Sequence, residues 1–168
     1  MATVTINYSS YATITIAPEN VASSSTWTAG VESTAIDNST NLYVDALVAG
    51  QWTCGTTPTA NTEVRVYVYA QQDDTPTYQD VLDGTSSAET ITSAGVLVGV
   101  VKLLGTMYVD ATTSNRAYYL APTSVAERFG GVLPKRWGLF IAHNTGVNSN
   151  TTAGNHIWKY QGIKYDVA

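Results

Sequence analysis

Asp73, Asp74, Asp80 and Asp83 form the densest set of potential ligands in this chain. They share one polar stretch, and clustered carboxylate oxygens are what Ca²⁺ accepts at flexible geometry. Their order lacks the D-x-[DN]-x-[DN]-G-x₅-E spacing of a calcium loop, so they read as solvated turn residues. His143 and His156 flank an Asn-rich turn, where a hairpin would bring them together. Two imidazoles without a nearby acidic ligand fall short of the set that zinc normally takes. Cys54 is the single cysteine, which excludes an internal disulfide. A nucleophilic thiol needs a base and an electropositive pocket, so Cys54 reads as a structural residue. No G-x-S-x-G elbow is present, and Gly130-Gly131 does not lead from a parallel strand into a long helix as a phosphate cradle would. Sequons start at Asn7, Asn38 and Asn150 and bear only on a secreted chain. These residue types and spacings therefore assign no catalytic residue, no metal ligand and no cofactor.

Composition narrows the partners. Charged residues are 12% of the chain, against about 25% in a typical domain. Ser, Thr, Asn and Gln supply the polarity instead. A surface with few charges loses less on desolvation when it packs against neighbours, as in an assembly. The formal net charge is −5, with eight Lys and Arg and no basic run longer than Lys135-Arg136. That excludes the phosphate-neutralising footprint of a nucleic-acid binder. The N-terminal residues M-A-T-V-T-I-N-Y-S-S lack the basic and apolar regions of a secretion signal. The longest apolar run, Val96 to Val101, contains Gly99 and is far too short to span a bilayer. The expectation is a protein kept in the cytoplasm where it is made, with no membrane partner.

The elements that position these residues are short and extended. Val4, Ile6 and Tyr8 alternate with Thr3, Thr5 and Asn7, and Ala12 to Ile16 repeats the period, which predicts two half-buried strands. Ala22 to Thr40 reads as loop with one short strand near Trp27. Leu42 to Val48 predicts a strand, turned by Gly50 and by Cys54 to Pro58. In Glu63 to Ala70, Val64, Val66 and Val68 face the core, while Arg65, Tyr67 and Tyr69 face solvent or a partner. Gln71 to Gly95 is a polar excursion long enough to serve a function or cross between sheets. Val96 to Leu104 predicts a buried strand, followed by Met107 to Val109 and Arg116 to Leu120. Ser124 and Glu127 have capping-box spacing before Gly130-Gly131, which predicts one connector helix near 124–129. Trp137 to Ala142, Asn155 to Tyr160 and Ile163 to Val167 close the chain as strands.

Many short strands and one helix predict an all-β, antiparallel β-sandwich of jelly-roll type. Residues 1–20 would form N-terminal strands or an arm, and residues 21–168 a single sandwich domain. At 168 residues, such a domain buries roughly 70% of the surface its unfolded chain exposes. Eleven Tyr and four Trp against two Phe suit half-wet positions at interfaces. The interface candidates are Val4 and Ile6, Tyr67 and Tyr69, and Trp158 and Tyr160.

Three segments carry a resemblance: T-E-V-R-V-Y-V-Y-A (Thr62 to Ala70), S-V-A-E-R-F-G-G-V-L-P-K-R-W-G-L-F (Ser124 to Phe140) and H-N-T-G-V-N…G-N-H-I-W-K-Y-Q-G-I-K-Y (His143 to Tyr165). Their phrasing, over roughly residues 42 to 168, resembles small structural proteins of tailed-bacteriophage virions, of the capsid decoration or cement type. The resemblance implies a non-enzymatic β-sandwich that clamps the capsid, with the major capsid protein or other virion proteins as partners. It further implies a homo-oligomer, with a trimer favoured, made in the host bacterial cytoplasm and carried in the virion. The alternative is a carbohydrate-binding or adaptor module of a phage tail or fibre.

Overall fold

The computed structural model describes residues 3–75 and 77–167. Its strands are β1 (Val4–Tyr8), β2 (Ala12–Thr13), β3 (Ala29–Glu32), β4 (Ile36–Asp37), β5 (Asp45–Thr53), β6 (Thr62–Ala70), β7 (Ser87–Thr90), β8 (Lys102–Val109), β9 (Ala117–Ser124), β10 (Arg136–His143) and β11 (Ile157–Val167). One α-helix, α1 (Ala94–Val100), and one 3-10 turn (Ala126–Phe129) interrupt them. The first sheet runs β1-β11-β5-β9, with β2 also on β11; the second runs β7-β3-β10-β6-β8, with β4 also on β10. All of these pairs are antiparallel. The pairs β3–β10, β5–β9 and β6–β8 nest inside one another along the chain and alternate between the sheets. Nested pairing of this kind wraps a sandwich as a jelly roll does.

The expected period-two pattern fills the space between the sheets. Val64, Val66 and Val68 of β6 and Trp137, Leu139 and Ile141 of β10 meet Ala46, Val48 and Trp52 of β5 and Trp158 of β11. Gly50 lies inside β5 rather than at a turn, at a register shift between Val48 and Gly50. A β-carbon at Gly50 would run into the Trp158 ring, so the strand must carry glycine there.

Several expectations are corrected. Val96 to Leu104 is not one strand: α1 occupies its first half, and β8 starts at Lys102. A short apolar run fits either state, and Ser93 decides it, its hydroxyl accepting from the Val96 N–H at 3.2 Å. The connector near 124–129 is a 3-10 turn, closed where Gly130 adopts φ 75° and its N–H returns to the Ala126 carbonyl. Ala22 to Thr40 is mostly loop, as expected, but it holds two short strands, β3 and β4, rather than one near Trp27. Asn155 to Tyr160 and Ile163 to Val167 are joined, from Ile157 on, in the single strand β11. β1 is exposed along its whole length rather than half-buried.

Tyr67 and Tyr69 are also corrected: they face neither solvent nor a partner but lie buried in a second core. The excursion after β6 folds back over the outer face of the second sheet. Leu82, Ile91, Leu97 and Val101 cover Tyr67, Tyr69, Phe140 and Ala142. Glu32 fastens this cover, its carboxylate accepting from the Gly84 N–H at 2.7 Å and the Asp83 N–H at 3.1 Å. Burial raises the Glu32 carboxyl above its ordinary value against the lowering effect of those bonds. At the margin of the same face the Arg65 guanidinium lies 3.9 Å from the Trp27 ring centroid.

Candidate functional site

The first sheet has an outer face as well, and nothing in the described chain covers it. Period two assigns its residues. Trp158 of β11 points into the core, so Ile157, Lys159, Gln161, Ile163, Tyr165 and Val167 point outward. Register carries this outward set to the neighbouring strands. Val4, Ile6 and Tyr8 of β1 stand opposite Val167, Tyr165 and Ile163. Gln51 of β5 stands opposite Ile157 and also opposite Tyr119 of β9. Tyr11 joins from just before β2, two residues ahead of Thr13, which stands opposite Lys159.

The large side chains of this face are open to solvent. Val4 is 62% exposed, Ile6 60%, Tyr119 69% and Val167 70%, and Tyr8, Tyr11, Ile157 and Tyr165 are exposed too. Together these residues expose on the order of 900 Å², a largely apolar face interrupted by Gln51, Lys159 and Gln161. A shallow groove of about 380 Å³ crosses it, floored by Ala49, Gly50 and Ile157 and flanked by Tyr11, Tyr119 and Lys159.

One end of the face runs past the end of β5, with Tyr165 bordering a hollow beside Val44, Asp45 and Glu127. The ladder between β5 and β11 ends at Asp45 opposite Ile163, and beyond it β11 continues with β1 alone. A two-stranded ribbon is marginal in water unless a face of it is covered. This ribbon has one apolar face, just described, and one polar face. On the polar side Asn7 Nδ2 donates to Asp166 Oδ2 at 2.6 Å, and Lys164 Nζ lies 3.2 Å from Asp166 Oδ1. Those two contacts, the Asn7 bond first, hold the Asp166 carboxyl below its ordinary value.

The residues that chemistry first singled out lie elsewhere. Asp80 accepts from the Thr92 N–H and hydroxyl, Asp83 accepts from the Thr85 N–H and hydroxyl, and Asp74 pairs with Lys135. They point to separate partners, and no group of three or more His, Cys, Asp or Glu among the described residues is placed to hold a metal ion. His143 and His156 do come together, though not through a hairpin, because β10 and β11 belong to different sheets. They pack on Trp52, with ring centroids 5.1 Å and 5.0 Å from it. His143 Nε2 donates to the Val21 carbonyl at 3.0 Å, and His156 Nε2 donates to the Asn150 carbonyl at 3.1 Å. Burial lowers the His143 pKa to about 4 and lowers that of His156 as well. Cys54 is buried, and desolvation pushes its thiol up to about 11, which leaves it protonated and unreactive at neutral pH.

Of the interface candidates, Val4 and Ile6 stand on the open face of the ribbon. Tyr67, Tyr69 and Trp158 are buried within the chain, and Tyr160 is partly buried against the inter-sheet core. Tyr8, Tyr11, Tyr119, Ile157, Tyr165 and Val167 complete the face and are not among the sequence candidates. Alternation had already placed Tyr8 beside Val4 and Ile6. The same period, carried through β11 from the buried side of Trp158, finds Ile157 and Tyr165. Compared with protein-family models and with curated proteins, the chain matches none. Among the described residues no helix is long and apolar enough to cross a membrane.

Proposed function

We propose that this chain is a non-enzymatic structural protein of a bacteriophage virion, one that decorates the capsid and stabilises it. The observation that carries the reading is the open outer face of the first sheet, too large and too apolar for a surface left bare. The assignment to a phage particle rests on the resemblance of the segments Thr62 to Ala70, Ser124 to Phe140 and His143 to Tyr165. The mechanism is mass action: each copy removes apolar surface from water against its neighbours, so the assembled lattice is favoured over its separated parts. The low content of charge lets such contacts form with little desolvation cost. Major capsid protein or another virion protein is the partner in this reading.

The test is to purify particles, look for the protein by mass spectrometry, and compare the heat resistance of particles with and without it. Loss of resistance in its absence supports the proposal. Absence of the protein from particles, with heat resistance unchanged, overturns it. A second reading, a carbohydrate-binding module of a tail or fibre, is favoured by Tyr11 and Tyr119 flanking an open groove with Gln51 and Lys159 beside them. A glycan array on the isolated chain separates the two.

A further inference from the structure

We propose that the outer face of the first sheet is covered by the same face of a second copy of this chain, in a two-fold dimer. The inference deepens the structural reading above and rests on its premise that this face works by being covered.

Area is the first argument. The exposed side chains of the face amount to on the order of 900 Å², and a standard stable interface buries about 800 Å² on each partner. The face is of the size that one side of a standard dimer contact requires.

Self-complementarity is the second. The face has two parts along β11: an apolar ribbon at Tyr165, Ile6 and Val4, and a groove at Ile157 floored by Ala49. A two-fold contact is isologous, so each part of one copy must fit the other part of its partner. An axis lying between the two sheets, across the strands at the level of Gln161, meets that condition. It places Tyr165 of one copy over Ile157 of the other, and β1 of one copy over β2 of the other. Ile163 then lies on the aliphatic stem of Lys159, whose ammonium stays at the rim. Tyr165 of each copy then closes on the Ile157 side of the opposite groove, and each ribbon gains the cover that an isolated two-stranded element lacks. Two sheets stacked this way pack about 10 Å apart, as the two sheets inside a sandwich do.

The ribbon's other face argues against an arrangement that buries both of its sides. Asn7, Lys164 and Asp166 satisfy one another in solvent there, and burying them would strand charge.

The test uses the purified full chain in sedimentation experiments up to about 100 µM, a range that captures weak homodimers. A dimer is expected, with its dissociation constant raised about tenfold or more in Ile6→Lys, since a charge enters the apolar contact. Ile6 is 60% exposed, so the variant should fold with an unchanged circular dichroism spectrum. A second measurement fixes the register. Tyr165→Cys and Ile157→Cys are made as separate chains, and Cys54 stays silent because it is buried. Treating the mixture with a bifunctional maleimide that spans about 10 Å, the distance between stacked sheets, should give a covalent dimer of one variant with the other, and Tyr165→Cys alone should give little. A wild-type monomer across the range, a trimer, or a dimer that fails to cross-link in the mixture each overturns the inference. Any of these leaves the virion reading standing, whereas a dimer absent from particles does the reverse.

Discussion

The two sheets of this sandwich present outer faces with the same ingredients and opposite fates. On the second sheet, Tyr67, Tyr69 and Phe140 project from β6 and β10, and the chain between β6 and β8 returns to bury them. On the first sheet, Tyr8, Tyr119 and Tyr165 project from β1, β9 and β11, and no segment of the described chain returns. Tyrosine by itself therefore says little about exposure. What differs is the connection that follows the strand. The β6–β8 link is long enough to cross a sheet face and carries Leu82, Ile91 and Leu97 to fill it, with Glu32 waiting to hold its turn. Among the described residues, the links around the first sheet carry no such set.

The largest effect that tests this contrast comes from truncating the covered face. Tyr69→Ala should lower the unfolding free energy by about 3–5 kcal/mol, because Tyr69 is fully buried and its hydroxyl donates to the Ser33 carbonyl at 2.7 Å. Chemical denaturation measures it; a loss below that of an exposed tyrosine would break the comparison.

Acid probes the core between the sheets through His143 and the covered outer face through Glu32. The folded state holds His143 near 4 while the unfolded chain titrates near 6.5. Between those values the unfolded state binds more protons, so stability falls as pH is lowered through that window, by up to about 3 kcal/mol for this group. Glu32, raised in the folded state, opposes the trend at the lower end, since protonation relieves its burial. His143→Gln should flatten the slope of melting temperature against pH between 6.5 and 4. An unchanged slope in that variant removes His143 from the account.

A smaller effect is expected at the fastening of the cover. Glu32→Ala leaves the Asp83 and Gly84 N–H groups without their acceptor, which costs about 1–3 kcal/mol. Amide exchange should quicken selectively across the Leu82 and Ile91 region and leave β11 slow. Uniform acceleration would mean that the cover does not open as a unit.

The smallest effect belongs to the open face. Tyr119→Ala, measured at a concentration where the chain is monomeric, should change stability by no more than about 0.5 kcal/mol. A cost matching that of Tyr69→Ala would show that the two faces are not different in kind.

Much of the fold was legible. The Val64–Val66–Val68 alternation and the apolar run at Trp137 have only one comfortable reading, strands with a buried side, and many such strands without long helices leave a sandwich. The helix α1 was not legible, because A-G-V-L-V-G-V is apolar throughout and its state turns on the Ser93 cap. The single strand β11 was hidden by Gly162, which looks like punctuation in the sequence. It is required in the strand because the Tyr43 ring packs where a side chain would begin. The candidate site was half legible. Alternation placed Val4, Ile6 and Tyr8 on one side of a strand, but a period of two names the sides without saying which one is buried.

The sequence by itself determined the strand periods, the inter-sheet core and the scarcity of charge, since each follows from residue types a few positions apart. Only the tertiary structure decided which tyrosine faces are covered. That depends on where the polar segment after β6 comes to rest and on β1 pairing with the far end of β11, contacts between residues distant in the chain that no local pattern encodes.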